Sequence, residues 1–391
     1  MLESEKAAEV NIERLVAEDV RQAIWLRLRR MTSSRLCRQI ISAKTKVLSP
    51  DVLGSKAEGL AWAVRSALGY WESNPADLNA KLLTRYYALL QISVAEQVAS
   101  PNPTFDLKEA QRHTEKGHGL STLDQPDVIF PNGYYVASLK SGHFYSYCKY
   151  LGFDLKTHAF EKRPREWGEL DKAKQGQLLS LTDLFRRVPE LQGVIEEYLG
   201  VRPLSLHVGY ASRNQQIRPQ QSPGSVVPNL APPDSLGETT HIAIYPKGSS
   251  LTKEYLRSLN LPIQNIGVEY DSLTKYTYFT GSFTHPVGDY WWQHLKLYKS
   301  GYSGTSFIVP FWSGISDPFI LHFIILYAMS IVVRYLPSLW HDIQDGELDH
   351  VRALLEHYLV IVDNVIPRLA VERITGIPLR VDSPGSLNAP V

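Results

Sequence analysis

Between Phe319 and Val333 the chain reads FILHFIILYAMSIVV, without a single Asp, Glu, Lys or Arg. A helix that is apolar all round has to be covered on every side, by a protein core or by lipid. The run falls short of the roughly 18 to 20 residues that cross a bilayer, and it carries His322 and Ser330. The reading is therefore a core helix, with Asp317 as N-cap and Pro318 as its first residue. Its cover has to come from another apolar segment, and AKLLTRYYALLQISVAEQV, Ala80 to Val98, shows more apolar surface than one wet face allows. The N-terminal and C-terminal helices are thus predicted to pack together, although more than 150 residues separate them.

Apolar spacing of three and four residues predicts four helices before Pro101, the first of them in KAAEVNIERLVAEDV leading into RQAIWLRLRRM. Near His118 turn residues take over, and DVIFPNGYYVASL reads as two short strands about the Pro131-Asn132-Gly133 turn. SLTDLFRRVPELQGVIEEYLG predicts a helix capped at Thr182, ended by Gly200 and kinked or split at Pro189. RPLSLHVGY, THIAIYP, IQNIGVEYD, KYTYFTGSF and TSFIVPF have the β-branched and aromatic enrichment of strands. Between the first two of these lies a Pro-, Ser- and Gly-dense stretch, 218–237, which reads as a long mobile loop. Helices return at Pro318 and again in DHVRALLEHYLVIVDNVIPRLAVERI.

Hydrophobic residues at 44% and charged residues at 21% are ordinary for a globular protein of 391 residues. Two cysteines, Cys37 and Cys148, stand without partners at metal-ligand spacing, which argues against a disulfide framework and against zinc. The opening MLESEKAAEVNIERL is not a signal peptide, and the expected compartment is the cytoplasm. A net charge of +1 hides a local asymmetry. Between Asp19 and Asp51 there is no acid, while Arg21, Arg27, Arg29, Arg30, Arg35, Arg38, Lys44 and Lys46 all fall there. Such a stretch either tracks a phosphate backbone or forms a solvated helix face balanced by acids elsewhere.

LTRYYALLQISVAEQVASPNPTF followed by GHGLSTL resembles the tyrosine-rich helix, proline-containing loop and His-Gly-Leu-Ser turn of the bacterial YaaC-like proteins. LTDLFRRVPEL and ILYAMSIVVRYLPSLW resemble that family's middle and C-terminal signatures, and the likeness runs from about Trp25 to Gly376. It supplies no established reaction. The tyrosine-rich helix and His-Gly turn also resemble, more distantly, the helical HEPN domains. Active HEPN members are metal-independent endoribonucleases that use an Arg followed within a few positions by a His.

Two places match that spacing. In RYLPSLWH six residues separate Arg334 from His341, which on a continuous helix would put them on nearly one face, about 10 Å apart along the axis. Pro337 interrupts that helix, and Arg334 equally suits a helix C-terminus, where a cation satisfies carbonyls, with His341 beginning the turn beyond. In RHTEKGH five residues separate Arg112 from His118. There the flanking Gly117 and Gly119 point to a loop, and His118, if functional, is expected beside the Arg334 end of the C-terminal helix. There is no Gly-rich phosphate loop, His-Glu-x-x-His, Gly-x-Ser-x-Gly or carboxylate cluster, so no cofactor and no metal is expected. The aromatic runs NGYYV, FYSYCKYLGF and DYWWQHLKLY suit base stacking or a packed interface.

The expected fold is α+β. A HEPN-like bundle is built from 1–126 and 313–378, a β-rich domain, 127–312, is inserted between them, and 379–391 form a tail. The expected function is a cytoplasmic nucleic-acid-binding or complex-forming protein, in stress response or phage defence, with Arg27, Arg29, Arg30, Arg35 and Arg38 on the nucleic acid. The alternatives are a metal-independent endoribonuclease acting on RNA through Arg334 with His341 or Arg112 with His118, and a catalytically inert interaction subunit. Expected partners are RNA, a protein complex or a second copy of the chain, and no membrane.

Overall fold

A computed structural model describes residues 12–73, 75–210, 237–273, 275–287, 289, 291–300 and 304–382. In chain order the elements are β1 (Glu13–Val16), α1 (Val20–Arg30), α2 (Ser34–Lys44), α3 (Pro50–Glu72), α4 (Leu78–Val98), α5 (Leu107–Thr114), β2 (Leu120–Asp124), β3 (Tyr134–Ser138), α6 (His143–Tyr150), α7 (Lys172–Gln175), β4 (Leu179–Ser180), α8 (Leu181–Phe185) and α9 (Ile195–Leu199). Then come β5 (Ser205–Tyr210), β6 (Gly237–Tyr245), α10 (Lys253–Ser258), β7 (Gln264–Asp271), β8 (Tyr276–Pro286), α11 (Trp291–His294), β9 (Tyr298–Ser300), β10 (Gly304–Ile308), α12 (Pro318–Tyr335), α13 (Pro337–Asp345), α14 (Asp349–Thr375) and β11 (Leu379–Asp382). Helices occupy both ends and strands the middle, the α+β arrangement predicted.

Local chemistry sets many of these boundaries. Asp19, Asp77, Asp106 and Asp317 each accept a hydrogen bond from the backbone N–H three residues on, satisfying a donor that the first helical turn leaves open. Gly200 and Gly376 end α9 and α14 in the left-handed conformation, with φ of 65° and 74°.

The chain forms two compact units, one of residues 1–181 with 322–391 and one of residues 182–321. In the first, α12 from Phe323 to Val332 buries Phe323, Ile324, Ile325, Leu326, Ala328, Met329 and Val332 completely. By length and composition α12 is a helix that a membrane would accept, yet 72% of it is buried inside the protein. Tyr86 of α4 meets Phe323 edge-on at 5.7 Å. Two ion pairs tie α4 to α14, Arg85 to Asp363 at 2.6 Å and Glu96 to Arg373 at 2.8 Å. Helices from the two ends of the chain therefore share one core, as the apolar runs require. In the same unit β1 and β11 pair in parallel, Glu13 beside Leu379 and Val16 beside Asp382, and β2-β3-β4 form an antiparallel sheet over Leu123, Ala137, Phe160 and Leu178.

The second unit is a six-stranded antiparallel sheet in the order β7-β8-β6-β5-β10-β9. Leu206, Val208, Ile242, Ile244, Phe279, Phe283 and Phe307 form the centre of its core, with Leu256 of α10 packed among them.

Several expectations need correction. Glu13–Val16, placed in a helix, is a strand, because its hydrogen-bonding partner is β11. In DVIFPNGYYVASL only the second half is a strand. Asp127 has φ 62°, outside the extended range, and β3 pairs instead with Leu120–Asp124, which the glycines of GHGLSTL had marked as a turn. Pro189 splits its helix into α8, a short 3-10 turn and α9. The C-terminal part holds three helices and not two, since Pro337, with no N–H to lose, starts α13. His341 accordingly lies inside α13 and not in a turn. The units divide at 181/182 and 321/322, against the 126/127 and 312/313 expected, because the β2-β3-β4 sheet belongs with the helices. Residues 218–236 of the Pro-rich stretch and 383–391 of the tail lie outside the described residues, while Gly237 opens β6 and 379–382 form β11.

Candidate functional site

The Gly117-His118-Gly119 turn is held by backbone alone. His143 N–H donates to the Gly117 carbonyl at 2.9 Å and Phe144 N–H to the His118 carbonyl at 2.9 Å, so the turn closes the N-terminus of α6. Gly119 has φ 80° and Gly142 φ 94°, and a Cβ on Gly142 would lie 2.5 Å from the Gly119 nitrogen, so both positions need glycine. This clamp fixes the direction of the one side chain between the glycines.

The His118 imidazole is half-buried and its Nδ1 lies 2.7 Å from the Tyr86 hydroxyl. Its ring packs against Tyr86 at 5.6 Å and against Tyr327 of α12 at 5.7 Å. Tyr327 is itself anchored, its hydroxyl donating to the Leu120 carbonyl at 2.7 Å. One turn or two further along α12, Arg334 donates from Nε to the Ser330 carbonyl at 2.9 Å and from Nη2 to the Ser330 hydroxyl at 3.1 Å. Its Nη1 reaches the Tyr87 hydroxyl at 3.4 Å, and its guanidinium lies 5.1 Å from the Tyr335 ring centroid.

Burial first and the Arg334 charge second hold the His118 pKa below the ordinary histidine value, so the imidazole is neutral at pH 7. Burial, with Tyr327 and Tyr87 beside it, pushes the Tyr86 hydroxyl well up against the opposing effect of Arg334, and Tyr86 stays protonated. The two tautomers of His118 have different uses. When Nδ1–H donates to Tyr86, Nε2 keeps a lone pair and is a base; when Tyr86 donates to Nδ1, Nε2–H is a donor for an anionic oxygen.

The structure thus assembles one residue from each sequence motif, His118 and Arg334, and leaves their sequence partners elsewhere. Arg112 sits on α5, largely exposed and ion-paired with Glu109. His341 is exposed on α13, beyond the break at Leu336. Tyr86, Tyr87 and Tyr327 received no role from the sequence. The adjacent tyrosines of LTRYYALL and the lone hydroxyl-bearing ring in an aliphatic run were the available signals.

The N-terminal arginines also sort themselves. Arg27 is half-buried and ion-paired with Glu13, its pKa lowered by burial and by Arg30. Arg29 bonds Glu72, Nε to Oε1 at 3.2 Å. Arg30, Arg35 and Arg38 are exposed and have no carboxylate partner among the described residues. No group of three or more His, Cys, Asp or Glu with metal-binding geometry occurs among the described residues.

A mixed α+β chain whose two ends close one helical bundle around a partly buried tyrosine-histidine-arginine cluster defines the class. Residues 35–374 match the family described as YaaC-like protein, and the chain belongs to that family. No curated protein and no solved structure shows significant similarity to it.

Proposed function

We propose that this YaaC-like protein binds RNA in the cytoplasm, with Arg30, Arg35 and Arg38 on the phosphate backbone. One observation carries the reading: these three guanidiniums stand exposed on neighbouring helices without a carboxylate partner among the described residues, whereas Arg27 and Arg29 are each engaged by a glutamate. Exposed, unneutralised cations release counterions from a bound strand, and this makes binding fall steeply with salt. The test is fluorescence anisotropy with a single-stranded RNA across a salt series. Three phosphate contacts contribute about 2 to the slope of log affinity against log salt, at about 0.7 each. The Arg30→Glu, Arg35→Glu, Arg38→Glu variant is expected to lose that share of the slope and most of the affinity. An unchanged slope in this variant would place the RNA on another surface.

The His118–Arg334 cluster favours a second reading, a metal-independent endoribonuclease of the HEPN type, with stress response or phage defence and an obligate dimer as what that type would imply. In it the neutral His118 takes the proton of a ribose 2′-hydroxyl as that oxygen bonds to the adjacent phosphorus, the bond from phosphorus to the 5′-oxygen breaks to leave a 2′,3′-cyclic phosphate, the protonated His118 returns its proton to the 5′-oxygen, and Arg334 offsets charge on the phosphate. Cleavage of RNA in the presence of EDTA, lost by at least about a hundredfold in His118→Ala and kept in His341→Ala, is the expected result for this chemistry. Equal rates in all three proteins would remove it.

A further inference from the structure

The connection between α6 and α7 carries Lys162, Arg163, Pro164 and Arg165 in succession. With Thr122 of β2 these residues wall an open pocket of about 780 Å³, inside the size range of small-molecule sites. Pro164 is buried and pins the connection, while Lys162, Arg163 and Arg165 on either side of it are exposed. None of the three cations has a carboxylate partner among the described residues. The acid next in sequence, Glu161, is engaged by Lys140 at 2.6 Å, and Glu166 makes no ion pair among the described residues. Asp124, at the end of β2, is exposed, and partial desolvation raises its pKa.

A concave wall carrying three cations with no carboxylate partner among the described residues is complementary to a compact dianion. We propose that this pocket binds a terminal phosphate, a phosphomonoester, with Arg163 and Arg165 as its principal donors and Lys162 beside them. Arginine is suited to this because its planar fork places two N–H groups on two phosphate oxygens at once.

The pocket borders the cluster described above. Burial pushes the Tyr327 hydroxyl up to about 12, and the charges of Arg163 and Arg334 both act against that rise, so both guanidiniums are within electrostatic reach of one hydroxyl. Arg163 acts in the same way on Tyr134. The inference does not depend on RNA binding at α1 and α2.

Two sources present a phosphomonoester, a free mononucleotide and the 5′ end of an RNA, and isothermal titration calorimetry of the intact protein separates them. The probes are adenosine 5′-monophosphate, inorganic phosphate, and one short oligoribonucleotide carrying either a 5′-phosphate or a 5′-hydroxyl. Binding of the mononucleotide that weakens at least tenfold in Arg163→Ala, Arg165→Ala assigns the pocket to a small ligand. A preference of at least tenfold for the 5′-phosphorylated RNA over the 5′-hydroxyl RNA, abolished in the same variant without mononucleotide binding, assigns it to an RNA end. Both arginines are exposed and have no carboxylate partner among the described residues, so the variant is expected to keep the parent melting temperature. The Arg30→Glu, Arg35→Glu, Arg38→Glu variant is expected to bind the mononucleotide as the parent does, so failure of the RNA surface is read separately. If none of the phosphate probes binds at millimolar concentration, or if all bind the double variant as they bind the parent, the pocket is not a phosphate site.

Discussion

Arg85→Ala is expected to lower the stability of the bundle by about 3–5 kcal/mol, the range for removing one partner of a buried ion pair. Arg85 is 1% exposed. Its Nε and Nη2 donate to the two Asp363 oxygens at 2.6 and 3.4 Å, its Nη1 donates to the Trp71 carbonyl at 3.0 Å, and its guanidinium lies 4.7 Å from the Trp71 ring centroid. Deletion leaves a carboxylate with only Lys81, at 3.3 Å, and a helix-end carbonyl without its donor. Against a total of about 5–15 kcal/mol for a typical domain, this loss is enough to unfold much of the protein at moderate temperature. Urea denaturation followed by circular dichroism measures it through the midpoint. Arg85→Lys keeps the charge but not the fork and is expected to fall between the two. The paired change Arg85→Met with Asp363→Leu is expected to recover most of the loss, because no charge is then stranded. A midpoint for Arg85→Ala within experimental error of the parent would mean that α4 and α14 are not held together by this contact.

The second large effect is a loss of stability with acid that belongs to one side chain. His143 is 1% exposed, its Nε2 2.7 Å from the Ser93 hydroxyl, and its ring stacks on Tyr147 and Phe323 at 6.1 Å each. The Ser93 hydroxyl donates to the Leu90 carbonyl, which leaves its lone pair to accept from Nε2–H. Nδ1 then holds a lone pair with no partner among the described residues, and a proton placed there would be a buried donor without an acceptor among them. Burial first, and then the neighbouring His113 and His118, push the His143 pKa down to about 3. The unfolded chain takes up this proton near pH 6.5 and the native protein does not. Stability from this group is therefore complete above about pH 6.5 and falls by about 1.4 kcal/mol per pH unit toward pH 3. The half-buried His113, His118 and His207 are depressed in the same direction, so the measurement is the difference between the parent and His143→Gln. Between pH 6.5 and 4.5 the parent is expected to lose about 2.3 kcal/mol that the variant does not, since the unfolded imidazole is already half protonated at pH 6.5. Parallel stability curves for the two proteins would show that His143 is not kept neutral by the fold.

The parts of this architecture that were legible in the sequence are those decided by burial over a long span. Phe319 to Val333 had no wet face, so its helix, its Asp317 cap and its partner in α4 followed from one constraint. Five strands of the six-stranded sheet, β5, β6, β7, β8 and β10, were legible for a related reason, since each is longer or richer in β-branched and aromatic residues than its surroundings, whereas the three residues of β9 were not. Short elements escaped because their stability comes from a distant partner. Four residues of β1 have no pattern of their own, and the residues they bond lie at Leu379–Asp382. At the candidate site the residue types were legible and the pairing was not. Arg112 and Arg334 each had a histidine at a suitable interval, but an interval along a chain becomes a distance only if the helix continues. Thr114 ends α5 and Tyr335 ends α12 before either histidine is reached. His118 found Tyr86 and Tyr327 through the backbone clamp of Gly119 and Gly142.

The closure of the bundle by α14 and β11 also has a timetable. Between Val98, the end of α4, and Asp349, the start of α14, a ribosome adds about 250 residues, which at about 5–20 residues per second takes roughly a quarter of a minute to nearly a minute. Throughout that interval the nascent chain carries Arg85, Glu96 and the apolar flank of α4 with their C-terminal partners not yet translated. The newborn protein is therefore a client for whatever shields apolar helices at the exit tunnel, for far longer than a chain whose neighbours in sequence are its neighbours in space.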